Sequence, residues 1–194
     1  MVKYTKEEII NSPKKIKEIF LEGITIYPTD SFYAIGCDAT NTELVDKLRE
    51  IKKIGGLEPF TIIAPSIEWV KNNFKIDKSN KQYVDKLDKS ININGKDHCL
   101  TLILELKNKD CVAPNVAPGL DTLAVKIPEH WISDVVKNLG VPIICSSANA
   151  VGENLVSDPE ELNPEIISKT NNLIKEGVIK IKPNTIIRPY GYKQ

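Results

Sequence analysis

The chain has 194 residues, with 26 Lys and Arg against 26 Asp and Glu and 41% apolar composition. That length suits one domain, 1–194, with a sizeable core, and the proportions lie far from the disordered regime. A net charge near zero excludes coating of DNA or membranes by bulk electrostatics, while leaving room for a local basic pocket.

No apolar run approaches the ~20 residues of a membrane helix. The first twenty residues carry charges throughout and no apolar h-region, so no signal peptide is expected and a cytoplasmic location is. Cys37, Cys99, Cys111 and Cys145 are scattered, without a C-x-x-C pair, and only His98 and His130 accompany them. Clustered ligands for a structural metal are missing, so no metal site is expected and the cysteines read as free, buried thiols.

In chain order, Ile9, Ile10, Ile16, Ile19 and Phe20 predict an amphipathic helix over 5–21, interrupted near Pro13 and stopped by Gly23. Ile24–Tyr27 reads as a short buried strand. Asn41 or Thr42 caps a helix through Leu44, Val45, Leu48 and Ile51 that ends at Gly55-Gly56. A strand follows at 60–64, then a helix capped by Ser66. The stretch 75–97 predicts one short helix (80–88) and a polar loop. Strands are expected at 100–106, 122–127 and 141–145, with a helix at 130–139 ended by Gly140. A last helix starts at Pro159, and strands near 178–181 and 185–188 precede Tyr190-Gly191-Tyr192. Alternating strands and helices give an α/β fold with a twisted mixed sheet and flanking helices.

Two strand ends concentrate polar chemistry, and ligands of open α/β sheets bind at such ends. The first is Tyr27-Pro28-Thr29-Asp30-Ser31-Phe32-Tyr33-Ala34-Ile35-Gly36-Cys37-Asp38, which presents several hydroxyls and a carboxylate at a strand mouth, although its Pro-Thr-Asp-Ser also reads as ordinary turn chemistry. The second is Ile143-Ile144-Cys145-Ser146-Ser147-Ala148-Asn149, able to hold a phosphate or a carboxylate by neutral hydrogen bonds or simply to form an Asx or Ser turn. Cys145 with His130 would make a nucleophile and base, but nothing in the sequence places them together. Neither a P-loop nor a G-x-G-x-x-G fingerprint is present.

Joined in order, YPTDSFYAIGCDA, IKKIGGLEPFTII, DTLAVKIPEHW, ICSSAN and PNTII resemble the YrdC family from about Gly23 to Ile187. The resemblance implies a concave basic pocket and an L-threonylcarbamoyladenylate synthase. Such an enzyme condenses L-threonine, bicarbonate and ATP, with Mg²⁺, into threonylcarbamoyl-AMP and pyrophosphate. Downstream transferase machinery then modifies adenosine 37 of tRNAs that decode ANN codons. By position, it implies that Ser31 contacts threonine, Lys52 lies near the phosphates, and Thr122 and Lys126 meet the nucleotide and the substrate carboxylate. Cys145 supplies a backbone contact, Ser147 and Asn149 face the ATP phosphates, and Asn184 meets threonine.

Departures accompany the likeness. The arginine of K-x-R is Ile54 and the proline after it is Gly55, so the phosphate side is one guanidinium short unless Lys53 or another cation replaces it. Lys126 replaces an arginine, and Asp97-His98-Cys99-Leu100-Thr101 replaces the P-G-P-x-T turn. The end of the chain soon after the last motif leaves no expected counterpart of the C-terminal domain of longer members. The alternative is a non-catalytic module that binds nucleotide, tRNA or double-stranded RNA through lysines. A carbamoyl-adenylate-handling domain of hydrogenase-maturation type lacks its accompanying zinc-finger-like cysteines here.

Overall fold

The computed structural model describes residues 1–188; Tyr190-Gly191-Tyr192 lies outside them. Ser12 and Pro13 split the N-terminal amphipathic run. Helix α1 spans Lys6–Ile10 behind a Thr5–Glu8 capping box, and α2 spans Pro13–Leu21 with the Ser12 hydroxyl accepting from the Lys15 N–H. Asn41 caps α3 (Thr42–Lys52) by accepting from the Leu44 N–H at 3.2 Å. Ser66 caps α4 (Ile67–Asn73) through the Trp69 N–H. Helix α3 ends at Lys53, whose φ of 52° is left-handed, before Gly55-Gly56 is reached. The expected helix over 80–88 is a single turn, α5 (Lys81–Val84). Helix α6 (Ile132–Leu139) ends at Gly140, as its sequence signal indicates. Pro159 opens only a 3₁₀ turn, and the last helix, α7 (Pro164–Lys169), starts behind Asn163.

Eleven strands occur among the described residues: β1 (Val2–Thr5), β2 (Thr25–Pro28), β3 (Tyr33–Gly36), β4 (Thr61–Ile63), β5 (Ile91–Ile93), β6 (Lys96–Glu105), β7 (Thr122–Lys126), β8 (Ile143–Ile144), β9 (Ser146–Ser147), β10 (Asn172–Lys175) and β11 (Asn184–Ile187). The mixed α/β architecture is the expected one, but it has two mixed sheets where one was expected. The first runs β1-β10-β2-β3-β9, and the second runs β11-β6-β7-β4-β8 with β5 paired to β6. The strand expected at 178–181 is absent and β10 stands earlier. Residues 89–97 are a hairpin, β5–β6, turning at Asn94 and Gly95 with φ of 51° and 78°. Two positive φ values in succession fit a type I′ turn.

Strand residues alternate between two apolar clusters. Ile26, Tyr33, Ile35, Ile62 and Ile144 face the larger cluster, which also takes α3 and β6. Tyr27, Ala34, Ile63, Ile143 and Cys145 face the smaller one, covered by Ile16, Ile19 and Phe20 of α2 and by Val135 and Val136 of α6. Burial on both faces is why these strands read as unbroken apolar runs.

One extended segment, 143–147, joins the sheets. Its β8 half pairs with β4 and its β9 half with β3. The Ile144 N–H donates to Cys37 O at 2.9 Å, the Cys145 N–H to Thr61 O at 2.8 Å, and the Tyr27 hydroxyl to Ile144 O at 2.6 Å. So close an approach requires a residue without Cβ at position 36. A Cβ built on Gly36 would lie 1.8 Å from Ile144 O, whereas one on Gly56 meets nothing within 4 Å.

Gly36→Ala is therefore expected to destabilise the fold by about 3 kcal/mol or more, since the clash is with backbone. Gly56→Ala should be near neutral. Urea unfolding measures both, and equal midpoints would contradict the seam described above.

Candidate functional site

The β2–β3 connection is a tight turn built by Thr29. Its hydroxyl donates to Phe32 O at 2.8 Å and accepts from the N–H groups of Ser31 and Phe32, each at 3.2 Å. The turn reading of this segment holds, yet the tip is buried where a hairpin tip is usually wet. Asp30 and Ser31 are both buried, and so is Lys126 at the end of β7. Asp30 Oδ1 accepts from the Ser31 hydroxyl at 3.0 Å, and Oδ2 accepts from the Glu129 N–H at 3.0 Å. Lys126 Nζ lies 3.8 Å from Asp30 Oδ1 and 5.5 Å from the centre of the Phe32 ring.

Lys126 is 2% exposed, and its ammonium makes no hydrogen bond among the described residues. Such a group normally finds an acceptor, because desolvating a cation without one costs several kcal/mol. A bound anion would supply it. Burial raises the Asp30 carboxyl, but Lys126 and hydrogen bonds from Cys99, Ser31 and Glu129 outweigh burial and hold it below its ordinary value.

Around this pair the wall continues through Cys99, whose Sγ is 3.0 Å from Ser31 Oγ. Cys99 stands where the resemblance noted above would place a proline. Its N–H donates to Pro183 O at 2.9 Å, a bond no proline can make, which extends the β6–β11 pairing. Register then sets Asn184 opposite Cys99, with Asn184 Oδ1 accepting from the Thr101 hydroxyl at 3.0 Å.

The second cation is tied to the Ser-x-Asn turn. Lys52 is buried and donates to Ser147 O at 2.6 Å and to Asn149 O. Burial lowers its pKa below the usual lysine value, with Glu153 working the other way. Glu153 also shapes the turn. Its carbonyl accepts from Asn149 Nδ2 at 2.7 Å, and its carboxylate accepts from the Ala150 N–H at 2.9 Å and from Asn163 Nδ2 at 2.8 Å. Asn149 Oδ1 is buried without a partner among the described residues. Two of the ammonium's three donors are used, so one remains for a ligand.

Not every expected residue joins. Thr122 opens β7 opposite Glu105, four residues and about 13 Å along the strand from Lys126. Lys53 projects to Glu165 on α7 at 3.0 Å and is 65% exposed, so it does not replace the lost guanidinium. Ile54 packs against the larger apolar cluster. Arg49 is committed to the carbonyls of Glu58, Asn115 and Gly55, over the Phe60 ring. The Cys145 N–H serves the sheet, and burial pushes its thiol up. His130 Nε2 pairs with Glu176 at 2.8 Å, so the imidazole is engaged away from Cys145 in a contact that does not build a nucleophile–base pair. Cys99, Thr101 and Glu153 were given no site role from the sequence, and Asp30 entered only as part of the polar block after β2. For Asp30 the density of its polar block was a usable signal; for Glu153 there was none. A cleft of about 700 Å³ is lined by Ser66, Glu68, Glu129, His130, Trp131 and Asp134, but not by Asp30, Ser31, Lys52, Lys126, Ser147 or Asn149. Buried polarity, not volume, locates the site.

Comparison with known proteins follows the same outline. The family described as Telomere recombination, the Sua5, YciO and YrdC group, matches residues 18–194. A Methanocaldococcus jannaschii protein is 31% identical over 174 residues, 89% of this chain and 77% of that one. A threonylcarbamoyl-AMP synthase of Saccharophagus degradans is 28% identical over 138 residues, 71% of this chain and 68% of that one. In structure, P. abyssi Sua5 complexed with L-threonine superposes with a TM-score of 0.77 at 22% identity, over 98% of this chain. This chain spans 54% of that longer protein. E. coli YciO gives a TM-score of 0.75 at 20% identity, over 96% of this chain and 88% of that one.

Asp30→Asn leaves the Lys126 charge buried and uncompensated, and should cost about 3–5 kcal/mol at neutral pH. Adding Lys126→Met should recover part of that loss. Because the folded Asp30 pKa is depressed, its contribution is full above the ordinary carboxylate pKa of about 4 and is lost as pH falls through the folded value. The gap between wild type and Asp30→Asn should thus narrow on acidification in urea unfolding series. A gap independent of pH, or a double variant no better than Asp30→Asn, would contradict the pairing.

Proposed function

Because the chain belongs to the Sua5/YciO/YrdC family, we propose that it is an L-threonylcarbamoyladenylate synthase. In this reading it forms threonylcarbamoyl-AMP and pyrophosphate from L-threonine, bicarbonate and ATP, for N6-threonylcarbamoyladenosine at position 37 of ANN-decoding tRNAs. The observation that carries the reading is the buried Lys126 ammonium without an acceptor, set beside Asp30 and Ser31.

The threonine carboxylate would complete Lys126, with Ser31 and the Asn184 amide orienting the rest of the molecule. The threonine amine takes up the bicarbonate carbon as a carbamate, with loss of water. A carbamate oxygen then attacks the α-phosphorus as pyrophosphate leaves. Such a step needs alignment and charge stabilisation more than covalent help from the protein. Lys52 would offer its third N–H to a phosphate oxygen beside the Ser147 hydroxyl. Asn149 would offer both kinds of contact. One N–H of its NH₂ is engaged by Glu153 O, leaving the second free to meet a phosphate oxygen, while Oδ1 accepts, which suits a ribose hydroxyl or a water carried by Mg²⁺. Among the described residues no group of three or more His, Cys, Asp and Glu could hold a metal. Mg²⁺ is commonly held by substrate phosphates, waters and one or two protein oxygens, so the ion would arrive on the triphosphate.

The alternative of a lysine-lined RNA-binding surface is disfavoured by burial. Lys52 is 7% exposed and Lys126 2%, so neither faces a double helix. Among the described residues no helix is long and apolar enough to cross a membrane.

Pyrophosphate release with ATP, L-threonine, bicarbonate and Mg²⁺ tests the proposal. Release should require both threonine and bicarbonate. Lys126→Met should raise the KM for threonine about tenfold or more, and Lys52→Met should lower kcat/KM about 100-fold. Release that ignores threonine, or survives both substitutions, would refute it.

A further inference from the structure

Strand β6 turns alternate side chains to opposite faces. Leu100, Leu102 and Leu104 enter the larger apolar cluster, whereas Cys99 and Thr101 face the other way and meet Ser31 and Asn184. Cys99 Sγ lies 3.0 Å from Ser31 Oγ, closer than unbonded sulfur and oxygen approach, so one of the two donates to the other. The proton count decides which. Asp30 is held below its ordinary value, so at neutral pH it is a carboxylate and only accepts. The Ser31 hydroxyl has one proton and gives it to Asp30 Oδ1 at 3.0 Å. Burial pushes the Cys99 thiol up to about 11, so it keeps its proton and is the group with one left to give. We infer that Cys99 is a positioning residue: its S–H donates to Ser31 Oγ and fixes that oxygen as an acceptor, so that the site admits a hydrogen-bond donor of the ligand there and turns away an acceptor.

Ser31 Oγ and Lys126 Nζ flank the same oxygen, Asp30 Oδ1, at 3.0 and 3.8 Å. A ligand that supplies the acceptor Lys126 lacks therefore lies beside Ser31, and the two groups ask opposite things of it. Lys126 only donates, so it takes the acidic end. Ser31 has spent its proton on Asp30 and one lone pair on the thiol, and the lone pair that remains takes a donor. For the amino acid of the function proposed above, on which the ligand's identity rests, that donor is the amino group. The polarity matters for the chemistry. An amine that donates an N–H to Ser31 keeps its own lone pair for the bicarbonate carbon, whereas a Ser31 that donated to the amine would tie that lone pair up. Thr101 plays the mirror part, since its hydroxyl fills Asn184 Oδ1 and leaves the amide NH₂ to donate. A proline at position 99, where the resemblance places one, has no side-chain proton to give.

The S–H stretching band reads the thiol without any ligand. The Cys99 band is the one that disappears from the infrared spectrum in Cys99→Ser, and Ser31→Ala should shift it. A band that stays in place would overturn the inference. Both Cys99→Ser and Cys99→Ala leave the backbone N–H of residue 99 for Pro183 O. Calorimetric titration then compares L-α-aminobutyrate with α-ketobutyrate, which carry a donor and an acceptor on the same skeleton. Cys99→Ala releases the Ser31 hydroxyl to turn and donate, and should lower the preference for the amino acid about fivefold; Cys99→Ser can still donate and should keep it within about twofold. A preference unmoved by Cys99→Ala, or lost equally in both variants, would also overturn the inference. Failure of the unsubstituted chain to bind either acid or L-threonine, with the Ser31→Ala band shift intact, would count against the synthase reading and leave the thiol's hold on Ser31 standing.

Discussion

Residues 143–149 hold the two sheets in one relation, because consecutive halves of a single extended segment are hydrogen-bonded to different sheets. The chain can do this only where Gly36 lets the Ile144 carbonyl come within a distance no side chain permits. Cys145 then falls within electrostatic reach of Lys126, and Ser147 and Asn149 reach the end of α3, where their carbonyls receive Lys52. The two buried cations are thus indexed to the same short stretch of backbone, one near each end. Movement of one sheet against the other would separate them.

The cations differ in how their burial is offset. Lys52 is satisfied by two carbonyls, so its charge is tolerated at the cost of a lowered pKa. Lys126 has, among the described residues, an ion pair at 3.8 Å and a ring face but no hydrogen bond. In a water-poor pocket an unmade hydrogen bond to a charge is worth more than one on the surface, and an arriving anion recovers it. On the proposed reading, an acidic ligand would find its partner already in place in the unliganded fold. The phosphate side is economical in cations. Ile54 belongs to the core, and Arg49 and Lys53 are spent on the 55–58 loop and on α7.

Much of the fold was legible where local chemistry decides it. Asn41, Ser66 and Gly140 cap their helices as their residue types indicate, and the Pro13 interruption falls where proline places it. Short strands defined by distant partners were not legible. Val2–Thr5 becomes β1 only because β10 lies alongside it, and Tyr33–Gly36 hides within a polar block whose turn dominates its pattern. The β5–β6 hairpin was readable, since Asn94-Gly95 between Ile-Asn-Ile and Lys-Asp-His is a strong turn signal, but lysine and asparagine content masked it. At the site, order along the chain pointed to Ser31, Lys52, Lys126, Ser147, Asn149 and Asn184. It could not reveal that Lys53 turns outward, that Thr122 sits at the far end of its strand, or that Asp30 and Cys99 complete the wall. Those facts depend on register and on which side of a strand faces inward.

The account stands most directly on where an acidic ligand goes. A crystal structure of the chain with L-threonine and a non-hydrolysable ATP analogue would place the threonine carboxylate within hydrogen-bond distance of Lys126 Nζ, with Ser31 alongside. Threonine bound elsewhere, or Lys126 still without an acceptor in a site that holds its ligand, would contradict it.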